Sequence, residues 1–271
     1  MGVSLGTRES IKNAPQQHGV LAADTVLQVL SSFIGAEPMP MLKTIAQRAG
    51  MHPAKVHRYL VSLCRGGYVA QDAVTNRYSL GPNALRLGFA AMISVDPIRV
   101  ARPMMSGFAQ KMQEATVLAT WSEGGPTIAI KETVPSLITI TAKEGTVLPL
   151  LRSSIGRAFT AWLPRARTEA LLKVELAQLR AKPHPGCPTT MPEVETLIEE
   201  IRKRGLARVT GQLSPTAHSL SAPVFDGNGE LAAVLCALGP AAQFDSTWSG
   251  PTAKTLLESA AAVSRGLGYI K

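Results

Sequence analysis

Four breaks punctuate one short stretch of this chain: Gly50, Pro53, the pair Gly66-Gly67, and Gly81-Pro82. They cut residues 42–81 into pieces too short for anything but small elements. Leu42, Ile45, Ala46 and Ala49 sit at helical spacing and stop at Gly50, a residue suited to a helix end. His52-Pro53 opens the next piece, where a proline is tolerated because a first-turn N–H has no helical partner. Val56, Leu60 and Leu63 give that helix its apolar stripe, and Gly66-Gly67 stop it. The run "YVAQDAVTNRYSL" then alternates around Asp72-to-Asn76, the pattern of a β-hairpin. Upstream, Ala22-to-Phe33 carries Val26, Leu27, Val29, Leu30 and Phe33 at helical spacing, ended by Gly35 and Pro38. Helix, helix, turn, helix, hairpin is the order of a winged helix-turn-helix, predicted over residues 20–81.

Charge singles out the same stretch. The 271-residue chain has a net charge of +9. Residues 40–90 hold seven Lys/Arg (Lys43, Arg48, Lys55, Arg58, Arg65, Arg77, Arg86) against the single acid Asp72, a net +6. Residues 95–271 hold nineteen against fifteen, only +4 over a much longer segment. A basic module this small points to double-stranded DNA as the partner. The competing reading is a small helical cap on an enzyme.

Three cysteines (Cys64, Cys187, Cys236) make no disulfide framework. No secretion signal opens the sequence and no apolar run reaches the ~18 residues of a membrane span. A cytoplasmic protein with no membrane partner is therefore expected. His52 and His57 are badly spaced for a metal pair on a helix and lack a third ligand, so no metal or cofactor is expected.

Beyond residue 97 helices and strands mix. Helices are expected over 98–114, at "SSIGRAFTAWL", over 164–204 with a break at Pro183-to-Pro188, and over 251–268. Strands are expected at "TVLATW", "TIAIKETV", "LITITAKEG", "GLARVT", "HSLSAPVFD" and "ELAAVLCAL", with Asp226-to-Gly229 as a hairpin turn. The class is α+β with a mainly antiparallel sheet. The expected plan is a flexible arm over 1–19, the winged helix over 20–81, a further helix over 82–97 and an α+β domain over 98–271.

The stretch from "LKTIAQRAGMHPAKVHRYL" through "NRYSLGPNALRLG" resembles the DNA-binding domain of IclR-type bacterial transcription regulators. "LPLLRSSIGRAFTAWLP" and "HSLSAPVFDGNGELAAVLCALGP" resemble that family's effector-binding domain. The resemblance spans roughly residues 20–268. It implies a linker helix over 82–97, a GAF-like effector-binding domain over 98–271, homodimers or homotetramers on palindromic promoters, and control of catabolic genes for small organic or aromatic acids.

With Val56, Leu60 and Leu63 inward, the outer face of the third helix carries Lys55, Arg58, Tyr59 and Ser62, with His57 beside them. Ala54 is small enough to let the helix N-terminus approach a groove, and Lys43 lies on the preceding helix. Lysine and arginine meet phosphates or guanine edges. Tyr59 either joins them or packs on the first helix; Arg77 either touches phosphate from the hairpin or is a solvated charge. The family usually has Pro-Lys-Ser/Thr-Thr-Val-His-Arg here. This chain keeps Val56-His57-Arg58 but departs before it, so an operator sequence does not carry over.

The resemblance places the effector beside the loop Leu150-to-Arg157. There a helix start offers free N–H groups, and Ser153 or Ser154 can cap it. Arg152, Ser153, Ser154, Ile155, Gly156, Ser219, Cys236 and Leu238 are the expected effector residues. Arg152 can grip a carboxylate through two bonds; alternatively Arg152 and Arg157 face solvent or pair with an acid. Relatives that bind very small oxoacids carry a cysteine at the Ser219 position and serines at the Cys236 and Leu238 positions. The more apolar wall here suits an aromatic or otherwise bulky carboxylate.

Against an enzyme, no nucleophile elbow, P-loop or dinucleotide fingerprint is present. His218 and Ser219 are neighbours on a strand, so they face opposite sides and cannot act as a base and nucleophile. A regulator whose second half only oligomerises is the other alternative.

Overall fold

The computed structural model describes residues 19–94, 96–134 and 143–270. The chain forms two compact units, one ending at Ile93 and the other beginning at Ser94.

The first unit runs α1 (Leu21–Ser31), α2 (Leu42–Arg48), α3 (Pro53–Arg65), β1 (Val69–Gln71), β2 (Tyr78–Leu80) and α4 (Pro82–Ser94). This is a helix-turn-helix with a wing hairpin. Its core joins one stripe from each of the first three helices, including Val29, Ile45, Val56, Leu60 and Leu63, to Val69 and Tyr78 of the hairpin. Leu27 departs from expectation. It lies off the Thr25/Val29 stripe of α1 and is 60% exposed.

The two stops are built alike. Gly50 and Gly67 take left-handed backbone angles of φ +62° and +69°. Each lets the next amide reach back five residues, Met51 N–H to the Ala46 carbonyl at 3.0 Å and Tyr68 N–H to Leu63 at 2.9 Å. That closes the open carbonyls of each helix end, and a Cβ at either glycine would be strained.

In the second unit α5 (Pro97–Met112) leads into the hairpin β3 (Ala115–Ser122) and β4 (Gly125–Glu132). Then come α6 (Ser154–Trp162), α7 (Arg165–Ala181), α8 (Met191–Arg204), β5 (Ala207–Thr210), β6 (Ala217–Phe225), β7 (Leu231–Pro240) and α9 (Pro251–Gly266). The strands form one five-stranded sheet in the order β4-β3-β7-β6-β5, antiparallel throughout. Alternation along each strand feeds two cores. Val117, Val234 and Cys236 meet α6, α7 and α8 on one face. Leu118, Leu220 and Leu235 meet α5 and α9 on the other. Most of the strand expected at "LITITAKEG" lies outside the described residues; its end, Glu144-Gly145, is a turn.

Candidate functional site

In the first unit, His52 caps α3: its Nδ1 accepts from the Ala54 amide at 3.3 Å. That gives this histidine a local structural task. Along α3, Ala54, Lys55, His57, Arg58 and Ser62 are exposed, opposite the buried Val56, Leu60 and Leu63. Lys43 is exposed on α2. Among the described residues, none of Lys43, Lys55 and Arg58 joins an ion pair. Tyr59 is different: it is half-buried and packs on the helical core.

Two of the seven cations counted in this module hold the fold. The Arg48 guanidinium donates to the carbonyls of Ser32 (2.7 Å) and Ile34 (2.6 Å). Arg77 donates to the Met39 carbonyl at 2.8 Å and lies 3.7 Å from Glu37. It thus ties the wing to the segment between α1 and α2, which the amide of Tyr78 also grips through Pro40. Composition cannot separate such struts from cations left for a partner.

In the second unit, a cavity of about 450 Å³ opens between the start of α6 and the near ends of β6 and β7. Ser153, Ser154, Ile155, Ser219, Cys236 and Leu238 line it together. Sequence reasoning missed several other wall residues, among them Val117, Ile128, Lys131, Leu148 and Leu213. Strand alternation could have found Val117, which pairs with Cys236 across β3 and β7. Leu148 and Leu213 come from irregular segments with no periodic signal.

Ser153 caps α6, accepting from the Gly156 amide at 2.8 Å and donating to the Pro149 carbonyl at 2.6 Å. The proton of that hydroxyl is committed to the turn. Ser154 sits in a relay instead: Ser221 donates to Ser154, which donates to Ser219, both at 2.8 Å. Cys236 is 3.7 Å from the Ser154 hydroxyl, and burial pushes its thiol up to about 11. It stays a neutral packing group at physiological pH. Gly156 is a close approach: a Cβ there would overlap the backbone of Pro149 and Leu150. Its role is to let α6 sit against that segment.

The two arginines of this loop take different places. Arg152 lines a separate recess, with Glu175, Lys182 and His184, and does not line the cavity. Arg157 neither faces solvent nor pairs with an acid. It is buried, and its guanidinium donates to the carbonyls of Leu151 (2.7 Å), Arg208 (2.9 Å) and Gly186 (2.8 Å). Burial pulls its pKa below the usual arginine range.

Among the described residues no helix is long and apolar enough to cross a membrane. The described part also holds no cluster of three or more potential metal ligands.

Comparison with known proteins agrees with this architecture. The IclR helix-turn-helix domain matches residues 22–73, and the bacterial transcriptional regulator IclR C-terminal family matches residues 89–265. The crystal structure of Pseudomonas aeruginosa HmgR is 38% identical, with a TM-score of 0.84, over 92% of this chain and 99% of that one. The HTH-type transcriptional regulator BhcR of Paracoccus denitrificans is 29% identical over 94% of this chain and 90% of its own. An IclR homologue from Microbacterium hydrocarbonoxydans, crystallised in complex with 4-hydroxybenzoate, shares the fold. Its TM-score is 0.53 at 21% identity, over 90% of this chain and 98% of that one. The chain belongs to the IclR family of bacterial transcriptional regulators: it is a DNA-binding regulator with an effector domain, not an enzyme.

Proposed function

We propose that this regulator reads promoter DNA through the exposed face of α3 and responds to a small organic acid with an aromatic body, held in the cavity beside α6. It controls a catabolic operon, in the cytoplasm, as a homodimer or homotetramer. DNA contacts come from Lys43, Ala54, Lys55, His57, Arg58 and Ser62. Tyr59 supports the helix from its half-buried position, and Arg77 sets the wing.

One observation carries the effector class: the cavity combines apolar walls with a polar edge at a helix start. Ile128, Leu148, Leu213 and Leu238 offer a hydrocarbon surface, and the cavity falls within the ~300–1,000 Å³ of small-molecule sites. At one side the Ser219 hydroxyl ends the Ser221–Ser154 relay as an acceptor, which leaves its own proton to donate to a ligand. The helix start adds amides and a positive dipole end for a carboxylate. The ligand printed for the Microbacterium relative, 4-hydroxybenzoate, has this chemistry.

Isothermal titration of the protein with benzoates and with glyoxylate and pyruvate tests the assignment. Benzoates are expected to bind at least tenfold more tightly. Tight binding of the oxoacids alone overturns it.

A further inference from the structure

On the far side of the segment before α6 lies a second recess, of about 590 Å³. One wall is a single stripe of α7, where Leu171, Glu175 and Gln178 fall at helical spacing, continued by Lys182 just past the helix end. The opposite wall is the segment from Val147 to Arg152, and Pro183-His184 closes the end.

Donors outnumber acceptors here. Glu175 is the acid of the lining, and both its oxygens are occupied, accepting from the amides of Leu150 (2.6 Å) and Leu151 (3.0 Å). The guanidinium of Arg152 carries five N–H groups. Among the described residues it makes no hydrogen bond to an acceptor and no ion pair. His184 borders the same end, with its Nδ1 buried and without a hydrogen-bond partner, so the rest of its ring is what the recess meets. Lys182 adds a second cation at the same end. Leu171 and Leu148 line the other end with hydrocarbon. The group that satisfies this set brings acceptors, a negative charge and an apolar body.

We propose that the recess between α7 and residues 147–152 is a second binding site for a small carboxylate, gripped by Arg152, closed off by Lys182 and His184, and separate from the cavity at Ser219. Leu148 lines both spaces, and Arg152 directly precedes the Ser153 cap of α6. A ligand in one space therefore bears on a wall of the other, and any coupling is reciprocal.

The proposal goes beyond the effector reading, and variants separate the two. The full-length protein, Arg152→Gln, His184→Phe and Leu238→Trp are each titrated by calorimetry with benzoate, benzene-1,3-dicarboxylate and citrate. A melting curve confirms that each variant is folded. At least one probe is expected to lose tenfold or more in affinity on Arg152→Gln and severalfold on His184→Phe, yet keep its affinity on Leu238→Trp. The proposal is overturned if no probe responds to Arg152→Gln, or if Arg152→Gln and Leu238→Trp abolish the same binding event. The effector reading fails by a different sign: Leu238→Trp leaves every probe unchanged.

Discussion

Two side chains of the second unit were illegible in the sequence, and both have measurable consequences. Arg157 sits in "SIGRAFTAW", where a charge reads as a solvent-facing position. Yet every residue from Ser154 to Ala161 is buried, so this helix has no outer face to give it. The clue was the run of small residues around it, typical of a helix enclosed on all sides. Its guanidinium joins α6 to β5 and to the turn at Gly186 through three carbonyls. Arg157→Met keeps the volume but strands those acceptors. At roughly 1–3 kcal/mol for each buried unsatisfied group, a loss of at least about 3 kcal/mol is expected, read from the midpoint of urea unfolding. Glu114 is the second. Its carboxylate lies over Gly239, where an added Cβ would overlap it, and burial pushes its pKa up to about 7. The folded state thus holds a proton that the unfolded chain releases near pH 4.5. Stability from this group is full below that pH and falls as pH rises through about 7. Glu114→Gln removes the ionisable group. It is expected to raise the melting temperature by a few degrees at pH 8 and to change it little at pH 4.5, in thermal scans at both values.

Among the elements, α3 was the most legible, because one periodic stripe fixes its orientation. Val56, Leu60 and Leu63 point inward, which leaves Lys55 and Arg58 outside with no competing acid. The sequence could not show which cations around α3 already have work. Arg48 and Arg77 bond carbonyls distant in sequence, and only the folded backbone brings those together. Lys55→Ala and Arg58→Ala are each expected to weaken promoter binding by more than tenfold in gel-shift titrations, within the ~1–3 kcal/mol of a base or phosphate contact. Melting temperature stays unchanged, since both side chains are exposed. Unaltered affinity in both variants would remove α3 from the DNA interface. Arg77→Ala is expected to act differently. It frees the wing from Met39, so both stability and affinity fall. Five of the six strands expected in the second unit were equally readable, and most of the sixth, "LITITAKEG", lies outside the described residues. The Leu148 and Leu213 walls of the cavity were not readable, because irregular segments carry no period.

Across the chain, the feature that the separate units leave unexplained is α4. Leu85, Leu87 and Phe89 are 62%, 58% and 54% exposed, on a helix with apolar residues on more than one side. A single copy that displays three large hydrocarbon side chains in five residues is costly in water, and such patches mark association surfaces. Winged-helix dimers meet two half-sites through matching symmetry, so a helix that holds two copies together also decides how strongly DNA is held. In the proposed homodimer each copy tethers the other near its half-site, which raises effective concentration without any new DNA contact. Leu85→Asp combined with Phe89→Asp places two charges on that surface. The expected result by sedimentation velocity is a shift to the 28.7 kDa monomer. Promoter affinity is expected to fall by more than tenfold although α3 is untouched. An unchanged oligomer would show that another surface joins the copies. An oligomer that dissociates with no loss of promoter affinity would show that one α3 suffices for binding.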